Sequence, residues 1–234
     1  MIRGMIFDID GTLLDSMPIW YDLGARYLRS LGIMPQPELG CVLYSMTLEE
    51  GIIYLRSQYG LRQSPSQIRQ DLKDIMDAFY RNEVQAKPGA KSFLRACQER
   101  NLPMILVTIG DAELAQAALR RNGMWQYFAG MLTCEALHTN KHAPRIYQRA
   151  AELLGTEPSR TLVLEDLFYA AKTAKQAGFP VAAILDDAGR RDWPAMARLA
   201  DIAIRDFTDA HFLQSLDQLS AAEGMKTPIE RATE

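Results

Sequence analysis

Four short, nearly continuous apolar runs separated by helical patterns constrain this chain most. Met104-Ile105-Leu106-Val107-Thr108 leads through Gly110 into a helix-like segment over 111–122. The run from Thr161 to Asp166 leads into an alanine-rich segment over 170–177, stopped by Gly178, and Val181-Ala182-Ala183-Ile184-Leu185 follows. A weaker run, Ile202-Ala203-Ile204, precedes a last helix over 207–219. Strands this short and this apolar are buried on both faces, which predicts an α/β fold with a three-layer core, helices covering both faces of a parallel sheet. Sites on such sheets gather beyond the carboxyl ends of the strands.

The N-terminal run Met5-Ile6-Phe7-Asp8-Ile9-Asp10-Gly11 adds chemistry to that frame. It reads as an apolar strand delivering two carboxylates, one residue apart, into a glycine turn. Alternation along a strand would send Asp8 and Asp10 to the same side. Two like charges so close cost energy unless a cation joins them or one keeps a proton. The plainer alternative for the pair alone is a turn residue beside a surface acid, the less favoured of the two readings.

Three further sites follow later apolar runs. Thr108 closes a strand, with Ile109 and Gly110 placed to offer backbone N–H groups at the start of the next helix, an anion-binding position. Lys141 lies in the loop Thr139-Asn140-Lys141-His142-Ala143-Pro144, ahead of a helix starting near Pro144. Glu165 and Asp166 close the fourth strand. Taken singly, these are an ordinary strand-end threonine, a solvated loop lysine and a helix cap. Their order at successive strand ends joins one hydroxyl, one cation and two acid pairs, a set suited to Mg²⁺ and a phosphoryl group.

Residues 16–85 break the rhythm. Apolar residues fall at helical spacing around Trp20–Leu31, Leu48–Leu55 and Ile68–Tyr80, with Pro35 and Pro37 interrupting the first pair and Ser66 as the expected N-cap of the third helix. No strand is expected there. The expected organisation is a core from 1–15 and 86–219, a helical insertion over 16–85, and a loose polar tail over 220–234.

Composition narrows the partners. The 234 residues are 48% hydrophobic with a formal net charge of −3, and acids and bases are interspersed. Neither nucleic acid nor an anionic membrane is an expected partner. Cys41, Cys97 and Cys134 are far apart, and His138, His142 and His211 have no metal-ligand spacing, so neither a disulfide frame nor a zinc site is expected. With no basic leader and no membrane-length apolar run, the expected location is the cytoplasm.

The motifs Asp8-Ile9-Asp10-Gly11-Thr12-Leu13-Leu14-Asp15-Ser16, Thr108, Lys141 with Pro144, and Glu165-Asp166 resemble, in order, those of the haloacid dehalogenase-like hydrolase superfamily. Within it the chain is similar to the branch of β-phosphoglucomutase-like enzymes and small-molecule phosphatases, whose Rossmann-like core carries a helical cap after the first strand. Two departures stand out. The family's usual Gly-Lys-Pro-x-Pro reads Asn140-Lys141-His142-Ala143-Pro144 here, and Leu167-Phe168-Tyr169-Ala170 replaces a segment where a serine and a later glycine are common.

The resemblance implies Mg²⁺-dependent hydrolysis of a small phosphorylated metabolite through an aspartyl-phosphate. Asp8 would be the nucleophile and Asp10 the acid and base. The metal would be held by Asp8, the backbone carbonyl of Asp10, Asp166 and Glu165. Thr108, Ile109, Gly110 and Lys141 would hold the phosphoryl oxygens, and the Thr12 hydroxyl would steady the glycine turn. The cap would close over the site. The alternative is a hexose-phosphate mutase. Family members of that type carry an arginine in the loop before the second cap helix, and here Tyr44-Ser45-Met46-Thr47-Leu48-Glu49-Glu50 has no Arg or Lys, which favours a phosphatase.

Overall fold

The structure, a computed structural model, describes residues 1–222. The chain forms two compact units, one of residues 1–15 with the chain from 85 onward, the other of residues 16–84.

In the first unit, six strands form a single all-parallel sheet: β1 (Gly4–Phe7), β2 (Met104–Thr108), β3 (Met131–Thr133), β4 (Thr161–Glu165), β5 (Val181–Ile184) and β6 (Ile202–Ile204). Their order is β3-β2-β1-β4-β5-β6. β1 is therefore central, with β2 on one side and β4 on the other, and the strand order reverses direction at its carboxyl end. This is the doubly wound α/β arrangement expected of the apolar runs. β3 is an addition to that expectation.

Alternation divides the strand residues between two layers. Ile6, Ile105, Val107, Val163, Val181 and Ala183 pack with Ile146, Tyr147, Ala150 and Ala151 of α7 (Arg145–Leu154), Ala171 and Ala174 of α8 (Phe168–Gln176) and Met196 of α9 (Trp193–Leu199). Phe7, on the opposite phase, meets Phe93 of α5 (Ala90–Glu99) and Phe128 edge-on. Phe93 in turn stacks on Phe212 of α10 (Phe212–Ala222) at 4.5 Å. Most strand residues are fully buried, so the strand ends are fixed by packing on both sides.

The last helix starts at residue 212, not 207, and its run to 222 enters the stretch expected to be a loose tail. The rest of that stretch, 223–234, lies outside the described residues.

The second unit is entirely helical: α1 (Pro18–Ser30), α2 (Leu39–Tyr44), α3 (Leu48–Tyr59), α4 (Pro65–Ala78) and a π-helical turn over Phe79–Glu83. Tyr27, Leu28, Ile52, Leu55, Ile68 and Leu72 form its core. Thr47 and Glu50 make a reciprocal cap at the start of α3. The cap of α4 is Ser64, whose hydroxyl accepts from Gln67 N–H; Ser66 lies inside the helix, because Pro65 takes the first helical position, where its missing N–H costs nothing. α2 has no counterpart in the sequence reading. Among the described residues no helix is long and apolar enough to cross a membrane.

Candidate active site

β1 stops at Phe7, so Asp8 and Asp10 lie beyond the strand and alternation does not govern them. Asp8 continues the ladder by one bond, its N–H donating to Leu164 O at 3.0 Å. The chain then turns at Gly11, whose φ of 81° suits glycine, while Leu13 and Leu14 N–H both donate to Ile9 O at 2.9 Å.

Asp8 joins Glu165 and Asp166. All three are buried, and one carboxylate oxygen of each lies within 4.8 Å of the others. Lys141, 1% exposed, reaches the group from the loop before α7. Its ammonium donates to Asp8 Oδ1 and, at 2.6 Å, to Glu165 Oε1. Tyr147 of α7 donates its hydroxyl to the same Glu165 oxygen at 2.8 Å. Thr12, fully buried, donates to Asp166 Oδ1 at 3.3 Å. The threonine therefore ties the glycine turn to the acid pair, where it was expected to brace the turn itself.

The electrostatics follow from burial. Glu165 is pushed up to about 7, first by burial and then by Asp8, with Lys141 opposing. Asp166 is held well above the ordinary carboxylate range by burial, Asp8 and Glu165. Burial works against the Lys141 charge, yet Asp8 and Glu165 outweigh it and its pKa rises.

The residues fit a divalent cation. Three carboxylates face one ammonium, and Asp8 Oδ2, Glu165 Oε2 and Asp166 Oδ2 are buried without a hydrogen-bond partner. Orphaned anionic oxygens in one cluster are costly in an apolar interior and are relieved by a hard cation.

Asp10 lies beside the loop that follows β2. A Cβ placed on Gly110 would stand 3.0 Å from Asp10 Oδ2 and 3.2 Å from Thr108 Oγ1, so the carboxylate and the hydroxyl flank that glycine. Gly110 N–H donates to Thr108 Oγ1 at 2.8 Å. α6 (Ala112–Arg121) starts later than expected, and its N-cap Asp111 accepts from Glu113 and Leu114 N–H. Ile109 and Gly110 consequently belong to a loop ahead of the helix, and the first turn's donors are taken by its own cap.

Two features of this region escaped the sequence reading. Tyr147 was legible only as an apolar helix position. Lys87 and Asp186, both buried, pair at 2.6 Å across 99 residues, and no local pattern announces that pair.

A family model described as haloacid dehalogenase-like hydrolase matches residues 5–184. The chain belongs to that family. Among curated relatives it is 24% identical over 177 residues to a phosphorylated carbohydrates phosphatase of Thermotoga maritima, covering 76% of this chain and 82% of the relative. It is 27% identical over 184 residues to hexitol phosphatase A of Escherichia coli, covering 78% and 82% respectively. Among solved structures, a haloacid dehalogenase family hydrolase from Deinococcus radiodurans R1, solved with phosphate and sodium bound, superposes with a TM-score of 0.73 at 21% identity. That match covers 93% of this chain and 97% of the other. This chain is thus a haloacid dehalogenase-like hydrolase, similar in sequence to phosphatases of small phosphorylated compounds.

Proposed function

We infer that the protein is a Mg²⁺-dependent phosphatase that hydrolyses a small phosphorylated metabolite through an aspartyl-phosphate on Asp8. The observation that carries this reading is the buried cluster of Asp8, Glu165 and Asp166, in which each carboxylate keeps one oxygen without a hydrogen-bond partner while Lys141 pairs with the other oxygens of Asp8 and Glu165. Mg²⁺ held by these carboxylates, with the backbone carbonyl of Asp10, would neutralise the acids and draw charge from the phosphoryl group.

The chain's own residues would divide the remaining work. A carboxylate oxygen of Asp8 attacks phosphorus, forming one P–O bond as the bond to the leaving oxygen breaks. Asp10, whose carboxylate lies beside Gly110, protonates the departing alkoxide. It later removes a proton from the water that attacks the phosphorylated Asp8, and orthophosphate leaves as the carboxylate is regenerated. Lys141 and the Thr108 hydroxyl hold phosphoryl oxygens, with the N–H groups of Ile109 and Gly110 beside them. Gly110 N–H would exchange its bond to Thr108 for one to phosphate. Burial of Asp8 at the sheet end limits stray water at the reacting atom.

Hydrolysis is favoured over a hexose-phosphate mutase. A mutase needs a cation for a second phosphate in the loop before the second cap helix, and Tyr44-Ser45-Met46-Thr47-Leu48-Glu49-Glu50 carries neither Arg nor Lys. The relatives' names make phosphorylated sugars and sugar alcohols the first substrates to screen.

The test is a phosphorylated-metabolite screen with Mg²⁺, with Asp8→Asn as control. Orthophosphate release that disappears in Asp8→Asn is the expected result. Undiminished turnover of an aryl phosphate by that variant overturns the assignment of the nucleophile, and isomerisation of glucose 1-phosphate without release favours the mutase.

A further inference from the structure

Two places where the chain departs from its family's pattern meet in space. His142 stands where a proline usually follows the lysine, and Tyr169 lies in the segment that replaces the usual serine and glycine after the acid pair. Their rings stack, with centroids 4.2 Å apart and planes 18° from parallel. His142 is exposed, and Tyr169 sits half-buried in the first turn of α8, three residues after Asp166. The stack therefore joins the loop that carries Lys141 to the segment that carries Asp166.

A proline fixes its own φ and stiffens the loop it sits in. Histidine gives up that restraint, and this chain supplies two others. The His142 N–H, a donor that proline lacks, bonds Asn140 Oδ1 at 2.9 Å, and the imidazole packs on Tyr169. The salt links of Lys141 hold the tip of a long flexible side chain, whereas the stack anchors backbone one residue away.

We propose that His142 and Tyr169 act as a pair of positioning residues: their stack fixes the Lys141 loop against the acid-pair loop, replacing the stiffness that relatives draw from a proline. The two departures are then one coupled feature. Its effect on catalysis rests on Lys141 acting as a phosphate ligand, as read above; the clamp itself does not.

A double-mutant cycle tests this in the full chain. His142→Ala and Tyr169→Leu should each speed backbone amide exchange at residues 139–143 while leaving β4 unchanged. Each should raise KM for an aryl phosphate roughly threefold to tenfold, the span of one aromatic pair, with a smaller change in kcat. The double variant should be no worse than the poorer single one, because both remove the same contact. His142→Phe and Tyr169→Phe keep two stacked rings and should retain wild-type exchange and KM. Unchanged exchange at 139–143 in both single variants, or effects that simply add, overturns the proposal. Faster exchange with unaltered KM upholds the clamp and removes Lys141 from phosphate binding, so the two readings fail separately.

Discussion

The Tyr147 hydroxyl lies 2.8 Å from Oε1 of Glu165, an oxygen that also accepts from Lys141, while Oε2 of the same carboxylate has no partner. The two donors hold one oxygen and leave the other for a cation. Tyr147 is itself buried, and burial followed by the Glu165 charge pushes its pKa up, so the hydroxyl stays a donor throughout the physiological range.

Tyr147→Phe deletes one donor to a buried carboxylate and keeps the ring. Hydrogen bonds to charged groups contribute about 1.5–3 kcal/mol, and the loss should fall in that range by urea denaturation. Because the bond also lowers the Glu165 pKa, its removal should raise the Mg²⁺ concentration needed for half-maximal activity, more at pH 6.5 than at pH 8.5. Equal stability of the variant and the parent would mean the bond contributes nothing.

Gly110→Ala probes the placement of Asp10. The added methyl would stand 3.0 Å from Asp10 Oδ2 and 3.2 Å from Thr108 Oγ1, so the carboxylate must shift by a few tenths of an ångström. With Asp10 as proton donor and acceptor, such a shift should lower kcat about tenfold or more. Stability should change by less than about 1 kcal/mol, since the neighbour is a side chain able to move. Loss of stability with kcat intact would show that the glycine serves only packing.

Much of the fold was legible because β2, β4 and β5 are buried on both faces and so carry continuous apolar runs. β3 spans three residues of intermediate burial at the sheet edge, too short for a period to register. Asp8, Thr108, Lys141, Glu165 and Asp166 could be singled out because each follows an apolar run or opens a helix. What each one touches was not legible. Thr12 reaches Asp166 across 154 residues and Lys87 reaches Asp186 across 99, and sequence separation of that size carries no local signal. The stop of β1 at Phe7 also depends on the turn after it, so strand alternation does not itself set the directions of Asp8 and Asp10 at this boundary, where local patterns define structure least.

Lys87 offers a stability test that leaves Asp8, Lys141, Glu165 and Asp166 in place. Its ammonium pairs with Asp186 Oδ2 at 2.6 Å, its N–H donates to Leu13 O at 2.8 Å, and Asp186 Oδ1 accepts from Ala188 N–H. Lys87→Met would leave a buried carboxylate without its counter-charge, which typically costs 3–5 kcal/mol. Replacing both partners, as Lys87→Met with Asp186→Leu, should recover most of that loss. Chemical denaturation reads both, and a double variant as unstable as Lys87→Met would assign the cost to lost packing instead.

The raised carboxyls make the metal-free protein sensitive to pH in a defined direction. In the folded chain the Glu165 carboxyl is pushed up to about 7 and Asp166 is raised as well, both through burial first. Unfolded, both carboxyls lose their protons at about pH 4. Between those limits the folded state binds more protons than the unfolded state, so stability is fullest below the unfolded pKa and falls as pH rises through 7. For Glu165 alone the loss across that interval is about 3 kcal/mol. Mg²⁺ held as proposed would compete with those protons for the same carboxyls and should restore what ionisation removes. Thermal melts in EDTA should therefore decline from pH 5 to pH 8, and the rise in Tm on adding Mg²⁺ should be larger at pH 8 than at pH 5.5. Glu165→Gln, which cannot ionise, should flatten the metal-free decline. A Mg²⁺ effect of equal size at both pH values would contradict a site in which raised carboxyls exchange protons for the metal.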